Sequence, residues 1–146
     1  MRILVVNGPN LNLLGVREPE IYGTGTYADL VAFVERTAAA CGVEVEVRQT
    51  NHEGAIVDWI QECPGRFDAL VLNAAAYTHT SVAIHDAIKA VRVRTVEVHL
   101  SDPKSREAFR HVSFVEPVAE KTCAGRGFES YADAIRHLAA GGQDLR

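Results

Sequence analysis

The stretch VNGPNLNLLGVREPEIYG, residues 6–23, decides how this chain is read. It begins where an apolar strand, residues 3–6 (ILVV), ends. The chain then turns through Asn7, Asn10 and Asn12 and enters a polar loop with Arg17, Glu18 and Tyr22. In an alternating α/β chain a buried strand normally reaches its helix in roughly two to six residues. Here about fifteen residues of carboxamides, a guanidinium and a phenol intervene, and a connection that long is functional or disordered. Leu11, Leu13 and Leu14 give it an apolar side that packs it back onto the domain.

Strand and helix signals alternate away from that loop in one direction to the end. Residues 27–41 carry apolar positions at 30, 31, 34, 38 and 41, a helical stripe stopped by Gly42. Residues 43–48 alternate Val with Glu and read as an edge strand with one charged face. Residues 53–63 place Ile56, Trp59, Ile60 and Cys63 on one helical face, ended by Pro64 and Gly65. Residues 69–72 are a continuous apolar strand of the buried parallel kind. Residues 81–91 are a helix, residues 95–98 a fourth strand, and residues 103–110 a short helix with Pro103 in its first turn and Ser101 or Asp102 as its cap. Residues 113–115 are expected as the fifth strand and residues 130–140 as the last helix. Five strands alternating with helices predict an α/β, flavodoxin-like three-layer sandwich, a five-stranded parallel sheet in the order 2-1-3-4-5, formed by residues 1–146 as one catalytic domain.

Bulk composition narrows the function. With 146 residues, 47 % apolar and 23 % charged, the chain can build one ordinary globular core. A net charge of −4 gives no electrostatic footprint for nucleic acid, and no apolar run approaches the ~20 residues needed to span a membrane. The first apolar run is too short for a secretory signal. Cys41, Cys63 and Cys123 show neither paired nor metal-ligand spacing; they read as small buried residues in a reduced, cytoplasmic setting.

In a doubly wound sheet, ligands bind beyond the carboxyl ends of the strands where strand order reverses. The polar residues cluster at those ends. Strands one, three and four bring Asn10, Asn73, His79, His99 and Ser101 to one crevice. Asn7 and Asn12 read equally well as turn stabilisers. Glu97 and His99 share a strand face, so the carboxylate can orient one ring nitrogen and favour the charged imidazole; the bland reading is a structural His–Glu pair. Residues 78–81 open a helix whose free amides could meet an anion, although Thr80 or Ser81 could be plain caps. Tyr22 is a poor base at its usual pKa near ~10, and a guanidinium such as Arg17 lowers that value. A loop closing both over the crevice makes a base only when water is excluded; the alternative is a packing lid. His85 and Trp59 look structural.

The strings NGPNLNLLGVREPEIYG, QTNHEGAIVDWIQE, YTHTSVAIHDAI, VEVHLS and REAFRHVSF, in this order between residue 3 and about residue 118, resemble the type II 3-dehydroquinate dehydratases (type II dehydroquinases). The resemblance implies loss of water from 3-dehydroquinate to give 3-dehydroshikimate, in shikimate biosynthesis or quinate breakdown, with no metal or cofactor. It also implies homo-oligomers built from trimers into a dodecamer. Carried over by position, Tyr22 is the base at C2, Arg17 supports its phenolate, Asn10 stabilises the enolate oxygen through water, and His99, oriented by Glu97, is the acid. Asn73 with the backbone of Leu100 and Ser101 holds the substrate carboxylate, His79 and Arg110 bind ring hydroxyls, Asp86 belongs to the site of a neighbouring subunit, and Arg106 matches an arginine at the site edge. Lys89, Lys104 and Lys121 are badly placed for the imine route of the unrelated type I enzymes.

Three segments depart from that family's pattern. Asn73 is followed by Ala74, Ala75 and Ala76 where the family has Pro-Gly and a small residue. Alanine takes a positive φ only at a cost, so a slight shift of the carboxylate site is expected. Residues 102–105 read DPKS where the family has asparagine followed by a less rigid tripeptide. Residues 120–131, EKTCAGRGFESY, differ most and are expected to lie away from the chemistry. Two other classes compete with the dehydratase. A flavin- or phosphate-binding module needs a first loop rich in Ser, Thr and Gly, unlike this one. A non-catalytic flavodoxin-like binding or assembly protein would have no use for the Tyr22, Arg17 and His99 set.

Overall fold

The computed structural model describes residues 1–16, 18, 20 and 25–141. Five strands, Arg2–Asn7 (β1), Glu44–Gln49 (β2), Ala69–Asn73 (β3), Arg94–His99 (β4) and Lys121–Ala124 (β5), pair in parallel in the order β2-β1-β3-β4-β5. The helices between and after them are Tyr27–Ala40 (α1), Glu53–Gln61 (α2), Val82–Val91 (α3) and Phe128–Ala139 (α4). No helix among the described residues is long and apolar enough to cross a membrane.

The alternation of side chains along each strand decides what each layer sees. Ile3, Val5, Val71, Val96 and Val98 face α1 and α4, where Leu30, Val34, Ile135 and Leu138 close one core. Leu4, Val6, Leu70 and Leu72 face α2 and α3, where Ile56, Ile60, Ile84 and Ile88 close the other. Central strands covered on both faces must be apolar throughout, which is why β1 and β3 read as unbroken runs. The edge strand β2 is instead guarded by charge: Arg48 donates to Glu46 at 2.6 Å and Glu62 at 2.8 Å while its guanidinium lies over Trp59. Cys41, Cys63 and Cys123 form no disulfide among the described residues, and burial pushes the Cys63 thiol up to about 11, as suits an inert packing residue.

The C-terminal third departs from expectation. Residues 113–115 are not the fifth strand. Ser113 Oγ accepts the N–H groups of Val115 and Glu116, curling the chain into a turn that continues as a 3-10 helix at Glu116–Val118. The true β5 lies eight residues further on, with Cys123 as its one buried side chain. The helix expected over 103–110 divides into two 3-10 turns, Pro103–Ser105 and Ala108–Arg110. Asp102 caps the first by accepting from Lys104 N, Ser105 Oγ donates to the Asp102 carbonyl, and extended backbone at Arg106 separates the two. Residues 120–131 build β5 and the first turn of α4; none lines the polar crevice, but Thr122 donates to Glu97 and Tyr131 bonds to Asn73 from behind it, closer to the chemistry than expected.

Candidate active site

The carboxyl ends of β1, β3 and β4 open onto a crevice of about 510 Å³. Asn10, Asn73, His79, His99 and Ser101, the five residues that topology should gather, all line it. Leu100, Arg106 and Arg110 complete a wall that is cationic on one side.

The first loop is anchored before it reaches this wall. Gly8 N donates to the Asn73 carbonyl at 2.8 Å, so the loops after β1 and β3 run against each other. A Cβ at residue 8 would stand 2.5 Å from the Ala74 carbonyl oxygen, so only glycine fits. Asn10 sits in the left-handed region at φ 69°, and its N–H donates to Asn51 Oδ1 at 3.0 Å. Gln49 Nε2 reaches the same Asn51 oxygen at 3.1 Å and Asn12 Oδ1 at 3.3 Å, so Asn12 is a turn stabiliser.

Asn73 ends β3 on the α1 and α4 side. Its Oδ1 accepts from Ala75 N at 3.1 Å and its Nδ2 donates to Tyr131 Oη at 2.9 Å, leaving the second amide hydrogen for the crevice. Tyr131, fully buried on α4, passes its own proton to Asn7 Oδ1 at 2.6 Å. Burial pushes the Tyr131 phenol up, so it stays neutral. Ala75 does take the conformation expected of glycine, with φ 53°.

Strand β4 presents Glu97 and His99 to the opposite side. His99 Nε2 lies 3.3 Å from Glu97 Oε1, which leaves Nδ1 for the crevice. Glu97 is 2 % exposed. Burial pushes its carboxyl up, but bonds from His99, Ser113 and Thr78 outweigh burial and hold it below the usual carboxylate range. His79 Nδ1 contacts the Val112 carbonyl at 2.8 Å. Burial, followed by the charges of His99 and Arg110, holds His79 below the usual imidazole range against that bond. Arg110 donates to Glu107 at 2.7 Å, and Arg106 lies 3.9 Å from Glu18. The helix start at 78–81 has no vacant cap: Ser81 Oγ accepts from Ile84 N at 3.0 Å, and Thr78 Oγ1 is turned to Glu97. His85 Nδ1 meets the Phe114 carbonyl at 2.7 Å, a structural contact. Among the described residues no three His, Cys, Asp or Glu side chains are arranged to hold a metal ion.

The profile of the family described as Dehydroquinase class II matches residues 1–139. The chain belongs to the class II dehydroquinase family. Its sequence is 51 % identical to a 3-dehydroquinate dehydratase of Dinoroseobacter shibae, over 92 % of this chain and 90 % of that one. Among solved structures it is similar to the type II dehydroquinase of Butyrivibrio crossotus, with a TM-score of 0.92 and 47 % identity over 94 % of this chain and 97 % of that one. It is also similar to that of Propionibacterium acnes, with a TM-score of 0.91 and 43 % identity over 95 % and 96 %. With this family the chain is a hydro-lyase.

Tyr22 and Arg17 lie outside the described residues. Asp86 is exposed on α3 and takes no part in this chain's own crevice. Three contributors escaped the sequence reading: Tyr131 behind Asn73, and Ser113 and Thr122 behind Glu97. A serine in RHVSF and a threonine in a divergent segment gave no local signal, because the one is placed by a turn held to the Thr78 carbonyl and the other only once β5 lies beside β4.

Proposed function

We propose that this crevice dehydrates 3-dehydroquinate to 3-dehydroshikimate through an enolate. A C–H beside a ketone is a weak acid, and the hydroxyl lost is a poor leaving group, so the site must supply a base, donors for the enolate oxygen and an acid. Tyr22, its phenolate supported by Arg17, takes the C2 proton; Asn10 holds the water that donates to the enolate oxygen. His99, oriented by Glu97, gives its proton to the C1 hydroxyl as the C–O bond breaks, and water leaves. Asn73, with the backbone at Leu100 and Ser101, receives the carboxylate, and His79 and Arg110 the ring hydroxyls; Arg106 borders them. The site uses no metal or organic cofactor. Asp86 serves the crevice of a neighbouring subunit in a homo-oligomer built from trimers, a dodecamer. The reaction serves shikimate biosynthesis or quinate breakdown in the cytoplasm.

One observation carries this reading: a buried carboxylate 3.3 Å from the imidazole that borders a crevice flanked by Arg106 and Arg110. Such a pair suits proton donation to a leaving group more than it suits passive binding. The product is a conjugated enone, so ultraviolet absorbance should rise when protein meets 3-dehydroquinate, and borohydride should not stop it. No rise from folded protein would leave the binding or assembly reading in possession.

A further inference from the structure

Glu97 is held from three elements besides its own strand. Thr78 Oγ1, from the 3-10 turn after β3, donates to Oε2 at 3.0 Å. Ser113 Oγ donates to the same oxygen through a short contact, and Thr122 Oγ1 of β5 donates to Oε1 at 3.4 Å, beside His99. A serine hydroxyl is ordinarily a free rotor that can donate or accept. The one at 113 is not free. Its oxygen accepts from Val115 N at 3.2 Å and Glu116 N at 3.0 Å, which fills both lone pairs. Its single proton can then go only to Glu97 Oε2 or to Thr78 Oγ1, 3.3 Å away. Thr78 already spends its own proton on Glu97, and a carboxylate is the stronger acceptor.

We infer that Ser113 is a positioning residue: its hydroxyl, locked by two backbone amides, clamps Oε2 of Glu97 and so aims Oε1, and with it the ring of His99, at the crevice. The inference rests on the reading of His99 as the acid. The clamp also spreads the carboxylate charge over several donors, so that less of it bears on His99. Other titratable groups around the pair are His79, Asp102, Lys104, Arg106, Arg110, His111 and Glu116, each bordering one or both of two adjoining cavities. The turn does not depend on the serine alone. Phe114 N donates to the Thr78 carbonyl at 2.8 Å and Val118 N to the Val115 carbonyl at 3.0 Å, so Ser113→Ala should fold. Ser113 is half-buried and borders an open cavity, so Ser113→Thr keeps the hydroxyl with the least added bulk.

The test is an NMR titration of the His99 ring in the intact protein, with kcat and KM for 3-dehydroquinate measured across pH. In Ser113→Ala the His99 midpoint should move upward by about half a pH unit or more, since a carboxylate stripped of one donor holds the imidazolium better. The turnover number should fall about tenfold with KM within about twofold, and the pH optimum should move with His99. Ser113→Thr should restore all three. An unmoved His99 titration would overturn the proposal, as would an equally large loss when Ser113→Ala is made in Glu97→Gln. If His99→Gln keeps its turnover while the His99 titration still moves in Ser113→Ala, the acid assignment fails and the clamp stands.

Discussion

The two faces of the sheet reach the same crevice with different chemistry. On the α1 and α4 face, Asn7, Asn73 and Tyr131 form a neutral chain of bonds at 2.6 and 2.9 Å, shut away from water. On the α2 and α3 face, the Glu97 carboxylate, beside His99, takes hydroxyls from three other elements. A neutral network can be desolvated cheaply and holds its shape at every pH. A buried carboxylate stays ionised only while its donors are in place, so it responds to its surroundings. The first network is therefore suited to setting geometry, and the second, on the proposed reading, to moving protons.

The sharpest way to break that division is to remove one key side chain from each side. His99→Gln should lose turnover by about 10²–10⁴-fold with little change in KM, the size expected for a lost general acid. Tyr131→Phe should do the reverse. It strands the Asn7 oxygen and an Asn73 amide hydrogen in a dry interior, which costs about 1–3 kcal/mol of stability. A slackened Asn73 should raise KM for 3-dehydroquinate several-fold more than it lowers kcat. Steady-state kinetics with thermal melts would show both; equal losses of kcat in the two variants would erase the distinction.

These two faces were unequally legible in the sequence. Strands β1, β3 and β4 announce themselves as apolar runs ending in polar residues, and the switch-point rule then delivers Asn10, Asn73, His79, His99 and Ser101. Glu97 beside His99 follows from the two-residue period of a strand. Tyr131 could not be found that way, because its partners are 58 and 124 residues distant and the residue itself is one more aromatic on an amphipathic helix. Strand β5 has a single buried side chain and no period to read, whereas residues 113–115 imitate a strand by composition while Ser113 spends its hydroxyl on two local amides. Asp102 and Ser105 hid the break in the expected helix for the same reason: local side-chain bonds outcompete a weak propensity.

The contrast should also appear in stability against pH. Glu97 and His79 both sit below their ordinary values of 4.5 and 6.5, so the folded chain binds fewer protons there than the unfolded chain does. Their stabilisation is complete above those values and is lost as pH falls, first through His79 and then through Glu97. Glu97→Gln should therefore flatten the fall in Tm below about pH 4.5 and leave the shoulder near pH 6 intact. Tyr131→Phe should lower Tm by a similar amount at every pH. Melts carried from about pH 8 down to about pH 2 that run parallel for wild type and Glu97→Gln below pH 4.5 would show that the carboxylate is not held ionised by its cage.

The smallest expected effect concerns Ala75, on the turn that Asn73 caps. An alanine in the left-handed region costs about 1–2 kcal/mol relative to the right-handed one, a cost that glycine does not bear. Glycine in turn loses about 0.4–1 kcal/mol through the freer unfolded chain. The two partly cancel, so Ala75→Gly should raise stability by between about 0 and about 1.6 kcal/mol. The Asn73 Oδ1 bond to the amide of residue 75 does not involve the side chain at 75, so substrate KM should hold within about twofold. A large gain in KM or kcat from this one substitution would mean that strain at residue 75 is transmitted to Asn73, and that the neutral face is less rigid than its hydrogen bonds make it.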